Sequence, residues 1–284
     1  VGRTTAPELP VRVLKKVTPT VGMFQTEGAQ LAYELDSRGL GDSAPVFVQM
    51  HGLTSSAWRE HRAGLDVTGE LTGCRVLRYD ARGHGFSTGR PVPYDYVWPR
   101  LASDLLALLD HVAPDQRVHA AGPSMGTATL LYAALADPER FATVTLMVPP
   151  TAWETRLAQS ESYRASADLV EEEGIGAFVR VSQSVLPPPA LADRPKEKVP
   201  AVSQELLPSI FRGAAMTDLP PKEQVAGLRI PAQILAWVDD HAHPVSTAEE
   251  LHRLLPVSQL SIAETPEDLQ TWPRRTARFV EQYS

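Results

Sequence analysis

The sequence predicts an α/β protein, with a mostly parallel, doubly wound sheet and a helical insertion in its second half. Three observations carry this. Short apolar runs alternate with amphipathic ones up to residue 148, the alternation breaks at Pro149-Pro150 and resumes near residue 230, and Gly122-Pro123-Ser124-Met125-Gly126 sits between a strand and a helix. Alternation of this kind argues for parallel strands covered by helices on both faces.

Residues 23–26 and 29–35 read as two strands about a Glu27-Gly28 turn, and 45–50 as a compact apolar strand ending at His51-Gly52. A helix follows within 56–67, then a strand at 75–79 that ends at Asp80-Ala81-Arg82-Gly83-His84-Gly85. In 94–112, Leu101, Leu105, Leu108, Leu109 and Val112 fall on one helical face. Residues 117–121 form the strand before Ser124. The Ala- and Leu-rich stretch 127–136 is the helix after it, stopped by Asp137-Pro138. A strand at 143–148 closes this half. Residues 151–228 offer helices at 153–173, 175–184 and 202–212 but no strand, with proline clusters between them. The domains are therefore a sheet core of 1–150 and 229–284 and a helical lid of 151–228. Alternation resumes with a strand at 230–238, and Ser246-Thr247-Ala248-Glu249 has the pattern of a capping box leading a helix. A strand at 259–263 and a last helix carrying Leu269, Trp272, Phe279 and Val280 complete the chain.

The chain has 284 residues, 43% of them hydrophobic, enough for a substantial core, and a net charge of -7. No basic run suggests nucleic acid, and no polybasic amphipathic stretch suggests a membrane surface. One cysteine, Cys74, excludes an intrachain disulfide and a cysteine-built metal cluster, and reads as a small buried residue at a strand start. Residues 1–10 lack the apolar core of a signal peptide, so a cytoplasmic protein is expected.

The glycines around Ser124 let the backbone turn sharply, lifting the hydroxyl from the sheet and aiming the first helical N–H groups at whatever it attacks. With His51-Gly52, the Asp80 to Ser87 segment and Trp237-Val238-Asp239-Asp240-His241-Ala242-His243-Pro244, this order of motifs resembles the α/β-hydrolase fold from about Val21 onward. The resemblance implies Ser124 as nucleophile and Asp240, four residues before Pro244, as the acid that orients a histidine. It also implies an oxyanion hole formed by the backbone N–H groups of Met125 and Leu53.

The family places the histidine after the last strand, where this chain reads Glu264-Thr265-Pro266-Glu267-Asp268, and no histidine follows His252. Without a base, a serine hydroxyl is a weak nucleophile. His241 and His243 share the acid loop with Asp240 and are the candidates for a substitute, His243 as base and His241 as a substrate-binding residue. His243 also has a reading as a wall residue. His51, Trp153 and Trp237 complete the expected substrate-binding set; the two tryptophans fit core positions equally well. His61, His111 and His119 have no motif around them, and Glu171-Glu172-Glu173 has no histidine at ligand spacing.

Three functions follow. The first is hydrolysis or acyl transfer on a small ester, lactone or thioester through Ser124. The second is a non-hydrolytic reaction such as a lyase, cyclase or conjugate addition in the same pocket. The third is small-molecule binding alone, against which the retained elbow and Asp240 argue. A small-molecule substrate is the expected partner. No metal or organic cofactor is expected, because neither a metal cluster nor a dinucleotide glycine fingerprint is present.

Overall fold

A computed structural model describes residues 18–194 and 199–284. Its centre is an eight-stranded sheet in the order β1-β2-β4-β3-β5-β6-β7-β8. β1 (Thr20–Thr26) and β2 (Ala29–Asp36) form a hairpin about Gly28, whose φ of 77° suits a residue without a Cβ. β2 runs antiparallel to β4 (Arg75–Tyr79). The rest of the sheet is parallel: β3 (Val46–Gln49), β5 (Val118–Pro123), β6 (Phe141–Met147), β7 (Ala232–Trp237) and β8 (Ser258–Ala263).

Both faces are covered, and the strands show it residue by residue. Val46 and Val48 enter one core while Phe47 enters the other, and Ile234 and Leu235 divide the same way. The first core receives α2 (Trp98–Val112), α3 (Met125–Ala136) and α8 (Val245–Leu254). The leucine face anticipated on α2 is there, with Leu105, Leu108 and Leu109 fully buried, each stabilising the fold by roughly 1.5–3 kcal/mol. The second core receives α10 (Trp272–Gln282) through Trp272 and Val280. Cys74 is buried at the start of β4, without a disulfide.

Between β6 and β7 lie α4 (Arg156–Glu173), α5 (Ile175–Ser184), α6 (Leu207–Ala215) and α7 (Lys222–Gly227), with no strand among the described residues. These helices have a small core of their own, built on Ala167, Val170, Leu207, Ile210 and Phe211. Buried Arg156 donates within the insertion to Thr217 O at 2.9 Å and to Ala214 O, and it ties the segment to the main body by lying 4.4 Å over the Trp98 ring of α2. Among the described residues no helix is long and apolar enough to cross a membrane.

Three local expectations are corrected. The helix expected over 202–212 starts only at Leu207, because the chain turns first and hydrogen bonds back to Ser203. Ser246 is not a cap: α8 begins at Val245 behind Pro244, whose φ of -66° already suits the entry. The last helix is two, α9 (Pro266–Gln270) and α10, because Pro273 has no N–H to continue the ladder.

Candidate active site

β5 ends against Ser124, and α3 begins one residue later. Ser124 has φ 52° and ψ -108°, a conformation that costs a non-glycine residue on the order of 1–3 kcal/mol. The surroundings hold it there: Ser124 N donates to Met147 O at 2.9 Å, and the Thr127 hydroxyl donates to Gly122 O at 2.7 Å. Glycine is required at 122, since a Cβ there would lie 2.8 Å from the Gly126 carbonyl carbon and 2.9 Å from its Cα. A Cβ at Gly126 would press on His51 O at 3.1 Å. Gly122→Ala is therefore expected to lower unfolding free energy by roughly 1–3 kcal/mol, read by denaturant titration.

The acid loop leaves β7 at Trp237. Asp239 turns the chain with φ 58°, and Asp240 follows. The Asp240 carboxylate accepts from Ala242 N at 2.9 Å, from Trp237 Nε1 at 2.9 Å and from His243 Nδ1 at 2.8 Å. Burial pushes its pKa up, but the His243 hydrogen bond and charge, with the Trp237 and Ala242 donors, more than reverse this and hold it at about 2. With Nδ1–H directed at the carboxylate, the other ring nitrogen, Nε2, is the acceptor. It stands 2.8 Å from Ser124 Oγ. The structure thus brings Ser124, His243 and Asp240 into one hydrogen-bonded chain, with acid and imidazole three residues apart on a single loop.

The loop after β8 is occupied differently. Thr265 Oγ1 accepts from Asp268 N at 3.3 Å, and the Asp268 carboxylate accepts from Thr265 N at 3.1 Å. This is a capping box, and it starts α9 where the resemblance calls for a histidine.

On the other side of Ser124 lies the turn after β3. A Cβ at Gly52 would be 3.8 Å from Ser124 Cβ and 3.7 Å from Pro123 O, so this turn is packed directly on the elbow. Leu53 follows, its side chain between the main core and the core of the insertion. Met125 opens α3, where the first N–H groups have no partner within the helix. Among the described residues no protein acceptor takes the N–H of Leu53 or of Met125.

The expected substrate-binding residues separate. His51 is 2% exposed, and both its nitrogens are committed: Nδ1 donates to Gly52 O at 2.8 Å and Nε2 accepts from Ala81 N at 2.8 Å. Burial holds its pKa down at about 4, so it is a neutral brace of the turn, not a ligand group. Trp153 is also a brace, because its Nε1 donates to Pro220 O at 3.0 Å and its ring packs on the main core. Trp237 is buried and serves Asp240. Its ring stacks on Trp272 at 6.0 Å and meets the His243 ring edge-on at 6.1 Å. His241 is exposed and lines two cavities of about 590 and 480 Å³, together with Gln159, Asp239 and Asp240. The carboxylate of Asp80, also at a strand end, accepts from Ala57 N and Phe86 N at 2.9 Å each.

The motifs gave no hint of the hydrogen bond from Trp237 to Asp240, the Trp272 stack behind it, or the buried carboxyl of Glu60 beneath Gly52. Trp237 lies three residues before Asp240 at a strand end, which is a readable signal. Glu60 is one of several charged residues in Trp58-Arg59-Glu60-His61-Arg62, and spacing alone does not single it out.

Residues 45–167 match the sequence family described as alpha/beta hydrolase fold. The chain is 28% identical to 3-oxoadipate enol-lactonase 2 of Acinetobacter baylyi over 194 residues, covering 66% of this chain and 70% of that protein. Among solved structures it resembles a hydrolase from Pseudomonas aeruginosa (TM-score 0.74, 24% identity, 95% of this chain and 99% of that one). It also resembles the enol-lactonase from Burkholderia xenovorans (TM-score 0.72, 21% identity, 89% and 97%).

Proposed function

We propose that the chain is an enzyme of the α/β-hydrolase superfamily that hydrolyses small esters or lactones through Ser124, with His243 as base and Asp240 as its orienting acid. The observation that carries this is the 2.8 Å approach of His243 Nε2 to Ser124 Oγ, with Asp240 2.8 Å behind the same ring. The names of the relatives make enol-lactones the first substrate class to try.

In this reading Ser124 Oγ attacks the carbonyl carbon while its proton passes to His243 Nε2. The oxyanion is met by Leu53 N–H and Met125 N–H, and the imidazolium is stabilised by an Asp240 that is ionised at any neutral pH. His243 then returns the proton to the leaving oxygen as the C–O bond breaks. In a lactone that oxygen stays tethered to the acyl chain, and from an enol-lactone it is released as an enol that becomes a ketone. Water, deprotonated by His243, cleaves the acyl-enzyme and restores Ser124. Residues 151–228 act as a lid, and two hydrogen bonds support this: Thr151 N to Ala242 O at 3.0 Å on the acid loop, and Ala201 N to Thr54 O at 2.7 Å beside Leu53.

The test is a panel of aryl esters, simple lactones and enol-lactones, with acyl-enzyme trapped by rapid quench and mapped by mass spectrometry. The expected result is turnover of at least one member with kcat/KM of about 10⁴ M⁻¹s⁻¹ or more and acylation at Ser124. A folded protein that turns over no member of the panel contradicts the proposal.

A further inference from the structure

Glu60 is the one ionisable side chain beneath the turn after β3 that the mechanism above leaves without a task. It lies on α1 (Ala57–Ala63), is 3% exposed, and its Oε1 accepts from Gly52 N at 2.9 Å. Its other oxygen, Oε2, is buried without a hydrogen-bond partner. Burying a carboxyl in this way is costly, and an apolar side chain would fill the space at less expense but would leave the Gly52 N–H without an acceptor. The position does not need a carboxylate for stability.

The local bonding shows what it does. Gly52 is held at both ends: its N–H by Glu60, and its C=O by His51 Nδ1 at 2.8 Å and Ser55 N at 3.2 Å. That C=O and the Leu53 N–H belong to one trans peptide unit, so they point in opposite directions. Two donors on the oxygen therefore turn the Leu53 N–H the other way, and they polarise it as a donor. The bond that Gly52 N donates to Glu60 fixes the preceding peptide plane, leaving Gly52 little freedom in φ and ψ.

We propose that Glu60 is a positioning residue for the oxyanion site, its carboxylate pinning Gly52 so that the Leu53 N–H is presented to the oxygen developing over Ser124. This rests on the reading of Leu53 as an oxyanion donor. The same loop is bound from the insertion through Ala201 N to Thr54 O. Glu60 thus acts on the Gly52 end of the turn and the insertion on the Thr54 end.

The carboxyl carries the mark of its setting. Burial raises its pKa to about 7, with Asp66 adding to the rise, against the opposing pull of the Gly52 N–H and the nearby Ser55 hydroxyl. The other ionisable groups nearby are His51, held neutral, and the Arg78 and His61 that pair with Asp66. The folded state keeps a proton that the unfolded chain loses in the ordinary carboxylate range. Stability from this group is therefore present below that range and lost as pH rises through about 7.

The test compares Glu60→Ala, Glu60→Asp and Glu60→Gln with wild type in hydrolysis of 4-nitrophenyl acetate and in inhibition by an aryl trifluoromethyl ketone, whose serine adduct carries an oxyanion. The amide oxygen of Gln still accepts from Gly52, whereas Asp is too short to reach it. Ala and Asp are expected to lose about 10- to 100-fold in kcat and in ketone affinity, with KM changed less than about 3-fold, and Gln to stay within about 5-fold of wild type. The melting temperature of Gln relative to wild type is expected to rise from pH 5 to pH 8. Wild-type kcat in folded Glu60→Ala or Glu60→Asp overturns the proposal, as does a folded Glu60→Gln as slow as Glu60→Asp. Should Ala and Asp fail to fold, Glu60→Met, which fills the space but cannot accept from Gly52, takes their place, and wild-type kcat and ketone affinity in it overturn the proposal. Ser124→Ala separates the two levels: full turnover in that variant removes the acyl reading itself, whereas its loss beside an unaffected Glu60→Ala removes only the role of Glu60.

Discussion

Ser124→Ala is expected to lower kcat for an ester or lactone by about four to six powers of ten, the range in which loss of a triad nucleophile falls. Among the described residues the Ser124 hydroxyl is the nucleophile that lies 2.8 Å from His243 Nε2, placed to become covalently attached to an acyl carbon. Cys74 cannot replace it, since it is buried at the start of β4, away from the strand ends that carry the site. What remains is catalysis by the oxyanion donors and by binding, which still exceeds the reaction in water. Secondary structure should be unchanged, and the measurement is kcat by stopped assay alongside denaturant unfolding.

His243→Ala is expected to cost nearly as much, about four to six powers of ten in kcat, with modest change in KM. Without the imidazole, the Ser124 proton has no acceptor and the Asp240 carboxylate keeps only its Trp237 and Ala242 donors. The two losses should not add. A Ser124→Ala/His243→Ala double variant is expected to be about as slow as either single one, because the pair acts as one unit. Additive losses would mean that the two residues serve separate steps.

The sheet was legible in the sequence because its strands are short apolar runs with turn residues on both sides, and because burial on both faces leaves few alternatives. The parts that escaped are those where local pattern and tertiary context disagree. Ser246 has a capping pattern that α8 does not use, since Pro244 already sets the helix entry, while Thr265 and Asp268 form the real box one strand later. Leu269 and Trp272 keep helical spacing across a break that Pro273 imposes. In the site, Ser124 and Asp240 were marked by their turns, and His243 by sharing a loop with Asp240. The motif could not say which of His241 and His243 would face the serine. The turn does: His243 N bonds Asp240 O at 3.1 Å, which closes the loop and brings the ring to Ser124, whereas His241 stays exposed at the cavity wall. Trp237 was legible as a site residue but not as the donor to Asp240, and Glu60 was illegible altogether, because a carboxyl on a buried face has the same sequence signature whatever it bonds.

The relocation of the base from the loop after β8 to the loop after β7 is the central claim, and the rate of covalent labelling of Ser124 by a fluorophosphonate tests it most directly. Labelling requires the activated hydroxyl but no lid-specific substrate. Wild type is expected to label rapidly at Ser124, and folded His243→Ala at least about 10³-fold more slowly. Labelling of His243→Ala at the wild-type rate would contradict the account.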